Sequence, residues 1–448
     1  MQTRVPRWFN QPELTRAGAP LEMTMFGRTW SPSLRSRVMV GLFLLGLVPR
    51  LALLAARADN LEFWEYETLA RNLAAGNGYV IPRFGHLTLA FGDGNLYSFL
   101  AGTLYAVLGN APLALALVQA VLAALIAPVI FALGERALGG PVAMVGAALA
   151  AVHPGLLAYT LKLHPLGLDV LLLALVVFWT TRPRWTHSGI VQTGLTLGLN
   201  LMARPTFFLA GLAALSIRWL ARQASLRQAI AVMLIALAVG MPWIARNWVF
   251  VGRPMLISTA FEDVWKGNNP MSSGSGMLAP GITIFDAVPA QFSDRIWHAD
   301  ELQLNDLFVG ETISFVRDQP EQFVSLFARK FAYFWWLPDQ AGLLYPSSWL
   351  AVYQVYSILV DAFAVVGVIA IVRAGSGEAR RLVATLAATA LTLALVHALA
   401  YVEGRHRWGI EPLFLLLTAH GIVVSAGVLR GVAASHSREL WRRRQIER

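Results

Sequence analysis

The residues able to do chemistry gather at the ends of long apolar runs. Glu62 follows the first run, and Lys162, His164 and Asp169 separate the third from the fourth. Arg204 divides the fifth from the sixth, Arg246 closes the seventh, and Arg405, His406 and Arg407 precede the last. A charge at membrane depth costs about 2.5–3.5 kcal/mol on insertion scales, so each asks for a reason. An arginine fork pairs bidentately with phosphate oxygens, and a carboxylate can accept the proton of an attacking hydroxyl. Carboxylate, imidazole and guanidinium groups at one interface therefore suit an anionic, lipid-linked substrate. Each residue also has a plainer reading. Arg and Lys near span ends often only snorkel to the headgroups. His153 and His164 each precede a proline and fit helix boundaries, while Glu65 and Glu67 fit the solvated face of an interfacial helix. No His-x-x-x-His or Asp-x-Asp pair occurs, so no metal ligands are assigned, and the absence of cysteine excludes disulfides and thiolate sites.

These residues need a scaffold, and composition says which kind. The chain has 448 residues, of which 56% are hydrophobic and 14% charged; a soluble domain carries about 25% charged residues. A membrane-crossing helix needs about 20 predominantly apolar residues. Ten spans are predicted, at about 38–56, 112–134, 141–160, 166–181, 189–203, 205–220, 229–246, 349–372, 382–401 and 409–429. The net charge of +10 comes largely from arginines in short loops and in the tail. Such a distribution reads as a positive-inside signal, with anionic lipids rather than nucleic acid as the partner. With the N-terminus inside, the loops holding Arg136, Arg182 and Arg184, then Arg218, Arg222 and Arg227, then Arg373, Arg380 and Arg381 are all inside. Residues 1–37 carry six Arg and no apolar stretch, so the first span reads as an uncleaved anchor. The expected organisation is a cytoplasmic segment 1–37, a membrane domain 38–429 and a basic cytoplasmic tail 430–448.

Two long segments, about 57–111 and 247–348, then fall outside. In the first, Phe63, Tyr66, Leu69, Ala70 and Leu73 recur at three- and four-residue spacing, which predicts an amphipathic interfacial helix over 62–75. In the second, the Gly-, Asn-, Ser- and Pro-rich stretch 267–282 predicts a turn-forming loop, and a helical stretch follows from Asp300 to about Trp336. There is no internal repeat of the kind that builds inverted-repeat transporters.

The order of short motifs resembles the bacterial GT-C membrane glycosyltransferases, related to protein O-mannosyltransferases and lipid A aminoarabinose transferases. The similarity runs from about residue 38 to 429. Glu62-Phe-Trp-Glu-Tyr66 through Gly76-Asn-Gly78-Tyr79 resembles the family's acidic-x-x-x-Tyr…Gly-x-Gly pattern, and Leu96-Tyr97 with Tyr105-x-x-x-Gly109 resembles the segment entering the second span. Leu201-Met-Ala-Arg204-Pro205-Thr206, Pro242-Trp243-Ile-Ala-Arg246-Asn247, Trp265-Lys-Gly267-Asn268-Asn269-Pro270 and Arg405-His-Arg407-Trp-Gly-Ile-Glu411-Pro412 resemble later motifs in the same order. The resemblance implies an all-α polytopic GT-C bundle of about ten transmembrane helices with two large outer loops. It also implies transfer of a sugar from a polyprenyl-phosphate carrier to a lipid, glycan or protein acceptor at the outer face of the cytoplasmic membrane, usually with inversion. The family's usual acid in the first outer loop is Asp. Here the matching residue is Glu62, with Asp59 and Glu65 as alternatives. Many relatives carry an acid where His164 stands, and a divalent metal is left open as a cofactor.

The mechanism implied makes Glu62 the general base. Arg405 and Arg407 would neutralise the departing phosphate, helped by Lys162 or Arg204, with His164 and Arg246 also at the phosphate. Asn268 and Asn269 would bind sugar hydroxyls or cover the site. Three alternatives share the topology: a lipid or glycan flippase without chemistry, a polymerase or ligase using a diphosphate-linked donor, and a degenerate scaffold.

Overall fold

A computed structural model describes residues 31–446 apart from Asp93, and side chains as far as Gly431. Most of the expected cytoplasmic segment 1–37 and the tail side chains from Val432 onward, Arg438 among them, lie outside the described residues. The first helix, α1 (Pro32–Arg57), starts before the predicted boundary because Ser31 caps it, accepting from the Leu34 amide at 3.2 Å, and Pro32 occupies its first turn. The first of the two long segments expected outside then forms α2 (Glu65–Ala74), a hairpin of β1 (Ile81–Arg83) with β2 (His86–Thr88), and α3 (Asn95–Leu108). Next come α4 (Pro112–Ala124), α5 (Ile126–Leu138), α6 (Gly140–Ala151), the short α7 (Pro154–Ala158), α8 (Leu166–Thr180), α9 (His187–Ala203), α10 (Pro205–Leu220) and α11 (Leu226–Val251). The second outer segment holds α12 (Ala260–Lys266), a hairpin of β3 (Met277–Ala279) with β4 (Ile282–Thr283), α13 (Ala290–His298), α14 (Glu301–Asp318) and α15 (Pro320–Trp335). The chain closes with α16 (Ser347–Ala374), α17 (Gly377–Leu399), α18 (Gly404–Trp408) and α19 (Glu411–Ile446).

The chain is an all-α, multi-pass membrane protein. All ten predicted spans fall on helices, and among the described residues seven helical stretches are long and apolar enough to cross a bilayer. The spans predicted at 166–181, 189–203 and 205–220 form helices of only 15, 17 and 16 residues. At 1.5 Å per residue that is about 22–26 Å, short of the roughly 30 Å hydrocarbon core. The central packing joins α5, α6, α8, α17 and α19 through Ile130, Ala147, Leu173, Leu393 and Leu416. At the α16–α19 crossing, Gly367 and Gly421 bring the backbones together: a Cβ on either would collide with the facing carbonyl of Leu417 or Phe363. Small residues at such crossings are the usual means of close packing between membrane helices.

Two expectations about the first outer segment change. Its helix begins at Glu65 rather than Glu62, because residues 62–64 are drawn out into an extended stretch. Glu67 does not form part of a solvated face. It is 3% exposed, pairs with Arg71 at 2.5 Å and accepts from the Tyr105 hydroxyl, because α2 packs on α3. The residue pattern reads an interfacial helix, but the buried stripe (Tyr66, Leu69, Ala70) is covered by protein.

The two outer segments interlock. Arg83 at the end of β1 makes a two-bond fork to Glu262 of α12, both at 2.8 Å, and Lys266 reaches the same carboxylate at 2.9 Å. Glu301 accepts from the amides of Leu89 and Ala90 at 2.7 and 2.8 Å and from the Ser258 hydroxyl at 2.5 Å. Burial alone would raise the Glu262 pKa, but the charges of Lys266 and Arg83 overcome it and hold it at about 2. A carboxylate held below its usual 4.5 contributes stability that is complete above about 4.5 and is lost as pH falls towards 2. Glu262→Gln should therefore loosen the joint at neutral pH by about 1–3 kcal/mol, since the amide still accepts one bond. Limited proteolysis of residues 252–300 should accelerate accordingly. The parent should show the same acceleration on acidification below about pH 4, and the variant should lose that acid response. Equal cleavage rates for parent and variant at pH 7 would show that the joint does not depend on this carboxylate.

Candidate active site

Glu62 is placed by backbone pairing across a hundred residues of sequence. Its amide donates to the Leu161 carbonyl at 2.8 Å and its carbonyl accepts from the Leu163 amide at 2.9 Å, so residues 61–64 lie beside 161–163 as parallel neighbours. Aligned in this way, Lys162 brings its ammonium against the Glu62 carboxylate. The Glu62 side chain is still 56% exposed. The partner strand is shaped from inside by Gln119 of α4. Its amide nitrogen donates to Tyr159 and Lys162 carbonyls at 2.9 and 2.8 Å, and its oxygen accepts from the His164 amide and the Tyr97 hydroxyl at 3.2 and 2.8 Å. A buried side chain amide using all four bonds pins the loop that carries Lys162. Gln119 was missed in the sequence because a lone polar residue in an apolar helix signals burial but not its partners.

Trp64 stands two residues beyond Glu62 on the extended stretch, where side chains at i and i+2 share a face. The Arg405 guanidinium lies over its ring at 5.3 Å. Arg405 also contacts the Glu403 carboxylate and donates to the Tyr401 hydroxyl at 2.9 Å. Burial acts to lower its pKa, but the Glu403 carboxylate, with the Tyr401 phenol beside it, outweighs that and holds it well up, so Arg405 is cationic. His164 also packs against Trp64, enclosed by the rings of Trp64, Tyr66 and Tyr159 at 5.1, 5.3 and 4.9 Å, and its Nδ1 accepts from the Leu166 amide. Burial, and then the charges of Arg405, Arg204 and Lys162, push its pKa well down. His164 is thus a neutral packing element between three cations, with at most one N–H to offer a phosphate.

Arg204 is turned toward the cluster by Pro205. A residue before proline is held out of the helical region, and Arg204 sits at φ −156°, ψ 106° between α9 and α10. Its Nε donates to Asp169 at 2.7 Å. Next to it, Gly94 donates its amide to the Ala203 carbonyl at 2.6 Å, with φ +83° and the Tyr66 ring where a Cβ would be. Only glycine fits there.

Arg407 is not beside Arg405. Two residues on a helix are about 200° apart, so α18 turns Arg407 into the bundle. There it meets the Trp335 carbonyl, Asp361 at 2.7 Å and Glu411 at 3.2 Å. The pairing of Arg405 with Arg407 on one phosphate is therefore corrected to Arg405 alone on this face. Arg246 donates to the Leu89 and Tyr79 carbonyls and to Asn247, holding the first outer segment. Asn268 donates to the carbonyls of Val264 and Leu399, both at 2.6 Å, and accepts from Lys330 at 2.7 Å; Asn269 donates to the Trp265 carbonyl and accepts from the Met271 amide. Both asparagines are buried and shape their own loop instead of facing outward. Glu65 is half-buried on α2, and Asp59 stands exposed in the turn Ala58–Asn60. Among the described residues no three His, Asp or Glu side chains gather as a metal site would need.

The site thus offers one exposed carboxylate with a lysine partner, an arginine fork two residues away across Trp64, and a second arginine beyond His164. Such a set can take a proton from a hydroxyl and hold a phosphate beside it. No family model matches the chain, and no curated protein does. Among solved structures, it is similar to the archaeal oligosaccharyltransferase AglB from Archaeoglobus fulgidus in complex with an inhibitory peptide and a dolichol-phosphate. The TM-score is 0.48 at 12% identity, covering 90% of this chain and 52% of that one. The apo form of the Archaeoglobus fulgidus oligosaccharyltransferase matches at TM-score 0.47 and 12% identity, over 92% and 53%. ArnT from Cupriavidus metallidurans bound to undecaprenyl phosphate matches at 0.40 and 13% identity, over 88% and 78%. The chain spans about half the length of the oligosaccharyltransferase it matches.

Proposed function

We propose that this protein is an integral-membrane glycosyltransferase that moves a sugar from a polyprenyl-phosphate carrier to a lipid, glycan or protein acceptor, at the outer face of the cytoplasmic membrane. The observation that carries the reading is the meeting of Glu62, Lys162 and Arg405 around Trp64, drawn from three distant parts of the chain to the ends of apolar helices. Glu62 takes the proton of the acceptor hydroxyl as its oxygen bonds to the anomeric carbon. The bond from that carbon to the phosphate oxygen breaks, and its electron pair leaves with the polyprenyl phosphate. The departing phosphate gains charge, so positioned cations are the larger part of the catalysis. Arg405 faces that charge, and Arg204 adds to the field behind it. Lys162 is held by Glu62 in the resting state and becomes available to the phosphate when the carboxylate takes the proton.

The test is transfer by the purified full chain. Radiolabelled polyprenyl-phosphate sugars are supplied with an extract of membrane lipids and glycans, and label leaving the carrier is followed. Transfer that requires the protein supports the reading. Lipid flipping in vesicles without any label transfer, unchanged in Glu62→Gln, would overturn it in favour of a flippase.

A further inference from the structure

A second polar recess lies at the far ends of the helices that carry the active site. α8 and α10 begin beside Arg204 and run 15 and 16 residues away from it, about 22–24 Å. Where they end, together with the end of α5 and the start of α17, the recess is lined by Arg136, Arg218, Arg381, Thr180, Thr181 and Glu378. Three guanidiniums face one carboxylate, and that carboxylate, Glu378, is exposed.

Arg218 is the decisive residue. It is 2% exposed. Its Nη1 donates to the Thr180 carbonyl at 2.8 Å and contacts that of Arg182, and its face lies 4.2 Å from the Trp185 ring. Its Nε and Nη2 are buried with no acceptor among the described residues. Capping of the last carbonyls of α8 explains Nη1, and it explains the bonds from Arg136 to the Phe178 carbonyl and the Thr181 hydroxyl. It leaves two donors of a buried cation unexplained, with the charge of Arg381 adding to theirs. A buried charge without a full set of partners asks for a counter-ion. Leu133, Ile217 and Leu382 line the recess from inside, and the two residues after Arg218 on α10, Trp219 and Leu220, form an exposed apolar rim. Phosphate oxygens would meet the guanidiniums while acyl chains lie along that rim.

We propose that this recess binds the headgroup phosphate of an anionic phospholipid on the face opposite the active site. Full-length protein, delipidated in neutral detergent, is titrated with dioctanoyl-phosphatidylglycerol, dioctanoyl-phosphatidylcholine or inorganic phosphate, and the thermal midpoint is followed. Phosphatidylglycerol should raise the midpoint saturably, and phosphatidylcholine should not. Arg381→Gln should raise the phosphatidylglycerol concentration needed by about tenfold, the loss of one charged pair. Arg218→Gln should abolish the response; because Arg218 also caps the end of α8, Arg381→Gln, which leaves that cap in place, decides. An equal response to phosphatidylcholine, or an unchanged titration in Arg381→Gln, would overturn the site. Inorganic phosphate reproducing the whole shift at the same concentration would overturn the lipid as its occupant.

Discussion

Glu62→Gln should lose about 10²- to 10⁴-fold in sugar transfer, the range contributed by a positioned general base, while carrier affinity and thermal midpoint stay close to the parent. The geometry makes this substitution informative. The Glu62 side chain is more than half exposed and pairs with Lys162. The pair is open to solvent on its Glu62 side, with Lys162 13% exposed, so it is worth about 1 kcal/mol, and the loop keeps the backbone bonds to Leu161 and Leu163. Gln keeps the shape and still accepts from Lys162, but it cannot take a proton. Lys162→Met is the control. If Glu62 mattered only as the partner of Lys162, both variants would lose activity equally; as the base, Glu62→Gln should lose far more. Full transfer by Glu62→Gln would remove it from the mechanism. Glu62→Asp adds a second reading, since it withdraws the carboxylate by roughly one carbon–carbon bond, ~1.5 Å, to the length that the resembling family usually carries.

Much of the scaffold is legible in the sequence because a membrane imposes long apolar runs, and each predicted span falls on a helix. The helix breaks are legible too. His153, His164 and Arg204 each precede a proline, and each sits at a helix boundary: His153 and Arg204 between two helices, His164 just before α8 begins. What composition could not reveal is pairing between distant residues. The extended stretch at Glu62 exists because Leu161 and Leu163 offer it partners, and nothing within residues 57–75 announces that. The Arg83–Glu262–Lys266 joint and the four bonds of Gln119 are hidden for the same reason. The site was legible in its residue types more than in its directions. Arg405 and Arg407 look equivalent in the sequence, yet helical phase sends one to Trp64 and the other to Asp361 and Glu411. Glu67 looks solvated from its charge, yet the neighbouring α3 covers it.

Arg405→Lys should weaken carrier binding by about tenfold or more and lower transfer further, without loss of fold. Hydrogen bonds to charged groups are worth about 1.5–3 kcal/mol, and every 1.4 kcal/mol is tenfold. Lysine keeps the charge but presents a point donor where the guanidinium offers a fork, and it gives up the stacking on Trp64. Arg405→Ala is the less informative change, because Glu403, 7% exposed on its side chain, would be left without its partner. Removing one member of a buried ion pair costs about 3–5 kcal/mol, so lost activity there could reflect lost structure. The double variant Glu403→Gln, Arg405→Met removes both charges together and should fold better than Arg405→Ala. If Arg405 binds the phosphate, the double variant should bind carrier as poorly as the single change or worse, however stable it is. If Arg405 serves only to neutralise Glu403, the double variant should recover binding as it recovers stability. Carrier affinity and thermal midpoint measured on the same three proteins separate the two, and parental affinity in the double variant would take Arg405 out of the phosphate site.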